Sequence, residues 1–277
     1  MVDSLLPRPG KGPMITNQTI VGPNGPVPIR IQTPDDTEPT RTLVWAHGGS
    51  FVRGDLDRVE PDRIARELAK RGIRVITVDY RLAGNGVHFP IPNNDVRAAF
   101  DWAVQLFDDV GLAGASAGAA LAAGVAVTLR DEATALRDEG AVLPTCLVLA
   151  VPLLHPFLPP LSTQLEAVVP SIPADLLFAA EGVDAIALTY AGSREAMGDP
   201  HAFAGLADLH GLPPTFVITA EFDTLRASGE LFTADLETAG VDIHQHCVPG
   251  VDHGYLNDPD SDATIVTADL IADWLAR

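Results

Sequence analysis

Short apolar runs, many rich in β-branched residues, alternate along this chain with longer stretches in which apolar positions recur at helical spacing. Residues 42–46, 73–78, 145–151, 215–220 and 243–248 read as buried strands. Helices are predicted over 61–71, where Ile64, Ala65, Leu68 and Ala69 share a face and Gly72 supplies the stop, and over about 94–107, with Val96, Ala99, Phe100, Ala103 and Val104. Two more are predicted near 225–239 and 262–276. At the start, β-rich runs at 14–21 and 27–32 flank Gly22-Pro23-Asn24-Gly25-Pro26, the pattern of two antiparallel strands and a turn. Strands alternating with helices predict an α/β fold, with eight strands in a mostly parallel sheet and helices on both faces. One stretch breaks the rhythm: 155–210 holds six prolines and no clear strand. An insertion of that length after a strand is usually a lid or a functional loop.

The chemistry centres on Gly114-Ala115-Ser116-Ala117-Gly118, which follows the apolar run 109–113 and precedes helix formers at 119–130. A Gly-x-Ser-x-Gly between strand and helix is a nucleophile elbow, in which small neighbours let the serine occupy a sharp, strained turn. In a chain with 24 glycines that pattern alone is weak. An acyl-transfer serine also needs a base, an acid that orients the base, and oxyanion donors, in the chain order Ser, Asp or Glu, His. Asp223 follows the strand at 215–220 and fits the acid; a plain helix N-cap is the competing role, and Glu221 is a rival expected to support. His253, in Pro249-Gly250-Val251-Asp252-His253-Gly254-Tyr255, fits the base. The other seven histidines fit less well: His47 belongs to a glycine loop, and His244 and His246 alternate along one strand and are expected to face solvent. His47-Gly48-Gly49-Ser50 follows an earlier strand and fits an oxyanion loop, with Gly48, Gly49 and Ser50 offering backbone N–H groups and Ala117 the partner donor.

Composition narrows the surroundings. With 37 acidic against 18 basic residues the net charge is −19, which disfavours nucleic acid and anionic membranes as partners. No apolar run is long enough to span a bilayer, and the N-terminal stretch lacks a signal-peptide core, so the expected location is cytoplasmic. Cys146 and Cys247 lie in apolar runs and read as buried free thiols. No Cys/His cluster has zinc-ligand spacing, so no metal is expected.

These residues carry a family resemblance. His47-Gly48-Gly49-Ser50-Phe51 is similar to the HGGGF loop of the hormone-sensitive-lipase-like branch of α/β-hydrolases, the bacterial short-chain esterases. Asp79-Tyr80-Arg81-Leu82-Ala83, Phe89-Pro90 and Asp95 resemble that family's DYRLAPE…FPA…D segment, and Gly114 to Gly118 its GDSAG. Leu212-Pro213-Pro214 with Glu221-Phe222-Asp223-Thr224-Leu225-Arg226, and then His253-Gly254-Tyr255, complete the set. The resemblance implies one α/β-hydrolase domain over residues 1–277 and hydrolysis of small carboxylic esters by Ser116, Asp223 and His253 without a cofactor. It also implies a cap built from about 1–14 and 155–210. Lactones, carbamates or aryl formamides suit the same triad, and a non-catalytic receptor on this scaffold is the reading from another class. The expected partner is a small ester; a homo-oligomer is left open. Three departures stand out: Ala115 in place of the acid of GDSAG, Ala83-Gly84-Asn85 in place of Ala-Pro-Glu, and a short stretch before Met14. The last predicts a reduced cap and an open pocket.

Overall fold

The computed structural model describes residues 12–277 apart from Asp36, Asp138, Glu139 and Asp175. Its strands are β1 (Met14–Gly22), β2 (Gly25–Thr33), β3 (Arg41–Ala46), β4 (Ile73–Val78), β5 (Val110–Ala115), β6 (Leu147–Ala150), β7 (Thr215–Phe222) and β8 (Ile243–Asp252). They form one sheet in the order β1-β2-β4-β3-β5-β6-β7-β8. The β1/β2 hairpin joins antiparallel to β4, and every pairing from β4 onward is parallel.

The helices are α1 (Val59–Lys70), α2 (Ile91–Ala103), α3 (Ala117–Leu136), α4 (Thr163–Val168), α5 (Ala180–Ala191), α6 (Arg226–Thr238) and α7 (Ala263–Leu275). Strand alternation sorts them into two layers. Leu43 and Trp45 of β3 pack with Ile64 and Leu68 of α1 and Ile271 and Leu275 of α7. Val44 and Ala46 point the other way, into a cluster with Val96 and Phe100 of α2, the alanines of α3 and Phe232 of α6. The alanine-rich start of α3 is buried on every side, because small side chains let that helix lie close to the sheet beneath it.

Helix α2 and strand β8 differ most from the sequence expectation, and α2 also ends at Ala103, short of the expected 107. Helix α2 begins at Ile91, because Pro92 in its first turn lacks only an N–H that would have had no helical partner there. Strand β8 runs past Pro249-Gly250 to Asp252, carried by a register shift between Ala220 and Phe222 that pairs Phe222 with Asp252. The insertion at 155–210 contains α4, α5 and short 3₁₀ turns and, among the described residues, no strand. Residues 1–11, on which most of the expected N-terminal cap falls, lie outside the described residues. His244 and His246 are half-buried rather than solvent-facing; the His244 ring lies 4.9 Å from that of Phe216. Cys146 is buried and Cys247 half-buried, both unpaired. Among the described residues, no helix is long and apolar enough to cross a membrane.

Candidate active site

At the C-terminal ends of β3, β5, β7 and β8 the chain leaves the sheet at His47, Ser116, Asp223 and His253, and these four exits converge. Ser116 joins β5 to α3 with φ 53° and ψ −115°, a left-handed conformation a serine adopts only under constraint. The constraint is visible in its neighbours. A Cβ on Gly118 would lie 1.9 Å from the Ala46 carbonyl oxygen, and one on Gly114 2.5 Å from the Gly118 carbonyl carbon. The two glycines therefore permit the close crossing of β3, β5 and α3 that holds Ser116 outward. The Ser116 N–H donates to the Ala150 carbonyl at 2.8 Å, tying the turn to β6.

The His253 Nε2 is 2.9 Å from the Ser116 Oγ, and its Nδ1 is 2.7 Å from Asp223 Oδ2. Asp223 is fully buried, and its other oxygen accepts the Leu225 N–H at 2.9 Å. It therefore binds the imidazole and braces the turn before α6, whose N-cap is Leu225 rather than Asp223. Glu221 supports from outside the line, accepting the Gly250 N–H at 2.6 Å and so bracing the loop that carries His253. The Phe178 ring, from the insertion, meets the His253 ring edge-on at 4.7 Å. The Phe178 backbone is fixed by Thr224, whose hydroxyl donates to the Phe178 carbonyl at 2.9 Å and accepts its N–H at 3.1 Å.

The loop after β3 is equally constrained. Gly49 has φ 130°, and a Cβ there would fall 1.8 Å from the Arg53 carbonyl oxygen; Ser50 and Phe51 follow at φ 53° and 65°. The His47 ring stacks on Tyr80 at 4.3 Å, and the Tyr80 hydroxyl donates to the His47 carbonyl at 2.9 Å. Burial lowers the His47 pKa, and its Nδ1 donates to the Gly48 carbonyl at 2.8 Å, which braces the loop. Phe51 stacks on Tyr190 at 3.9 Å, and the Phe51 carbonyl accepts the Ala83 N–H at 2.8 Å. The loop bearing Ala83-Gly84-Asn85 thus still docks on the glycine loop, and Asp95 secures it by accepting from the Arg81 N–H at 2.9 Å and from its guanidinium.

Of the four N–H groups expected to face the oxyanion, Gly48 is already engaged. It donates to Glu60 Oε2 at 2.8 Å. Among the described residues the Gly49, Ser50 and Ala117 N–H groups have no partner, which narrows the donor set to these three. Glu60 was not legible as a site residue, because an acid in the first turn of a helix reads as an ordinary partner of the helix dipole. Here it is buried, accepts from Trp45 Nε1 at 2.7 Å as well, and is pushed up to about 7 by burial.

A cavity of about 400 Å³ opens over Ser116. It is lined by the glycine loop with Arg53, Arg58 and Glu60, and by Leu176, Leu177, Phe178 and Ile186 from the insertion. Ala115 and Val151 lie at its floor, Val151 with φ 41°, another strained residue at the site. Ala115 is buried and pairs with Ala150, so the position that is acidic in the resembling family is apolar here.

An eight-stranded α/β sheet with a serine on a strand-to-helix elbow and a His and Asp on later strand ends defines a hydrolase of the α/β class. Residues 43–257 match the family described as the alpha/beta hydrolase fold, and the chain belongs to that family, in its hormone-sensitive-lipase-like branch. It is 31% identical over 266 residues to the carboxylic ester hydrolase LipN of Mycobacterium tuberculosis, covering 91% of this chain and 67% of LipN. To the esterase LipI of the same organism it is 30% identical over 265 residues, covering 91% and 78%. A hyperthermophilic esterase from the archaeon Pyrobaculum calidifontis has a similar structure, with a TM-score of 0.80 at 32% identity, covering 94% of this chain and 84% of that one.

Proposed function

We propose that this chain hydrolyses small carboxylic esters with short acyl chains, with Ser116 as nucleophile, His253 as general base and acid, and Asp223 as the carboxylate that orients the imidazole. The coarser statement, that it is a carboxylic ester hydrolase, rests on its family and on relatives named as such. The finer reading rests on one observation above all: the continuous contact from Asp223 Oδ2 through the His253 ring to Ser116 Oγ, at 2.7 and 2.9 Å.

In the first step Ser116 Oγ attacks the ester carbonyl while His253 Nε2 takes its proton. Asp223 holds the ring with Nδ1–H towards itself, leaving Nε2 as the acceptor, and stabilises the imidazolium that forms. The Gly49, Ser50 and Ala117 N–H groups receive the developing negative charge; one such donor is typically worth about 2.7–4 kcal/mol. His253 then protonates the leaving alcohol, and a water activated by the same imidazole releases the acid. The insertion acts as the cap of a single hydrolase domain, because its apolar side chains line the same cavity as the glycine loop. A cavity of about 400 Å³ bounded on that side by leucines suits a short acyl chain.

The test is Ser116→Ala with p-nitrophenyl acetate. The expected result is loss of turnover with an unchanged circular dichroism spectrum; turnover retained by a folded variant overturns the assignment.

A further inference from the structure

Two arginines line the cavity, the exposed Arg53 and the half-buried Arg58. In a chain with 37 acidic residues most arginines are drawn into ion pairs, as Arg30 is with Asp57, Arg71 with Asp269 and Arg226 with Glu230, all at 2.6–2.7 Å. Among the described residues, neither Arg53 nor Arg58 has a carboxylate at ion-pair distance. Arg58 donates to a neutral partner, Asn257 Oδ1, at 3.2 Å, and Asn257 itself lines the cavity. The Arg53 side chain has no hydrogen-bond partner among the described residues. Among the described residues the only acid lining the cavity is Glu60, and its two oxygens are already occupied, by the Trp45 indole N–H and the Gly48 N–H.

Two cationic side chains lining one cavity favour an anion there over a neutral group. The guanidinium fork matches a carboxylate in particular, since two parallel N–H···O bonds can form at once. The molecule's net charge of −19 works against long-range capture of an anion, so recognition must be local, at the cavity itself.

We propose that Arg53 and Arg58 form an anion subsite beside Ser116, and that the preferred substrates are esters carrying a carboxylate a few bonds from the scissile carbonyl. The proposal rests on Ser116 being the nucleophile. The apolar wall of Leu176, Leu177 and Phe178 holds the methylene chain, and the arginines hold its charged end.

Two pairs of esters place the charge on either side of the scissile bond: monoethyl glutarate against ethyl pentanoate on the acyl side, and 3-acetoxypropanoate against butyl acetate on the alcohol side. The expected result is a higher kcat/KM for the anionic member of at least one pair. Arg53→Gln and Arg58→Gln should each reduce the anionic-to-neutral ratio about tenfold, through KM, as expected for one lost charge-assisted hydrogen bond. A second readout does not depend on turnover. Monoethyl glutarate should bind the Ser116→Ala protein in calorimetry, and binding should weaken about tenfold when either arginine is also replaced. Neutral preference in both pairs, unmoved by the arginine substitutions, overturns the subsite while leaving the esterase reading intact. Binding of the anion without hydrolysis of any ester supports the subsite and overturns the esterase reading.

Discussion

The Glu60 carboxylate accepts the Gly48 N–H at 2.8 Å, one residue before the unpartnered N–H groups of Gly49 and Ser50. A buried acid thereby holds the glycine loop in register from behind, while the front of the loop faces the cavity. Burial raises the Glu60 pKa from its ordinary value of 4.5 to about 7. A carboxyl group raised in the fold contributes stability that is fully present below about pH 4.5 and is lost as pH rises through about 7. Glu60→Gln removes that dependence. The gap in unfolding free energy between the two proteins should move in favour of the variant by about 2 kcal/mol between pH 5 and pH 8. Urea unfolding at the two pH values measures it, and parallel pH profiles would contradict the assignment.

Asp223→Asn keeps a side-chain oxygen for the Leu225 N–H but presents the imidazole with an amide in place of a charge. The imidazole then loses both its tautomer control and the partner of its cationic form. We expect kcat to fall by about 10³–10⁴-fold with little change in stability, as orienting carboxylates generally behave. Steady-state kinetics alongside thermal melts will separate the two effects, and a loss below tenfold would reduce Asp223 to a brace of the turn before α6.

Gly118→Ala places a methyl group where the Ala46 carbonyl oxygen lies 1.9 Å away, a contact no rotamer change relieves because both partners are backbone. The elbow must shift, so the expected outcome is loss of esterase activity with a lowered melting temperature or insoluble expression. A soluble, fully active Gly118→Ala protein would show that Ser116 is not held by this crossing.

Thr224→Val removes both hydrogen bonds that fix the Phe178 backbone while keeping the side-chain volume. Because Phe178 packs against His253 and lines the cavity, freeing it should raise KM several-fold, each lost bond costing about 1 kcal/mol. Ester kinetics against chain length should show the rise most clearly for the shorter acyl groups. Unchanged KM across the series would detach the insertion from substrate binding.

The features that were legible in the sequence are those written in local pattern. Ile73–Val78 is a run rich in β-branched residues and forms β4 with those bounds. Ser116, Asp223 and His253 each follow an identifiable strand, and the sheet brings them together. Features that depend on depth and on long-range approach were not legible. Nothing in Val59-Glu60-Pro61 signals that the acid is buried against Trp45 and Gly48, since first-turn acids are common on exposed helices. Arg53 and Arg58 read as surface charge until the insertion, whose lining residues come more than a hundred positions later in the chain, completes a cavity they share. Strand β8 passes through a Pro-Gly pair because it bulges there, with more residues than the facing stretch of β7, which no local rule foresees.

The central claim is that Ser116 is the nucleophile, and covalent trapping tests it most directly. The protein is incubated with a fluorophosphonate, digested and mapped by mass spectrometry, beside a His253→Ala control. The account predicts one adduct, on the peptide bearing Ser116, with labelling slowed by orders of magnitude in the control. An unlabelled Ser116, or an adduct on another serine formed equally well without His253, would contradict it.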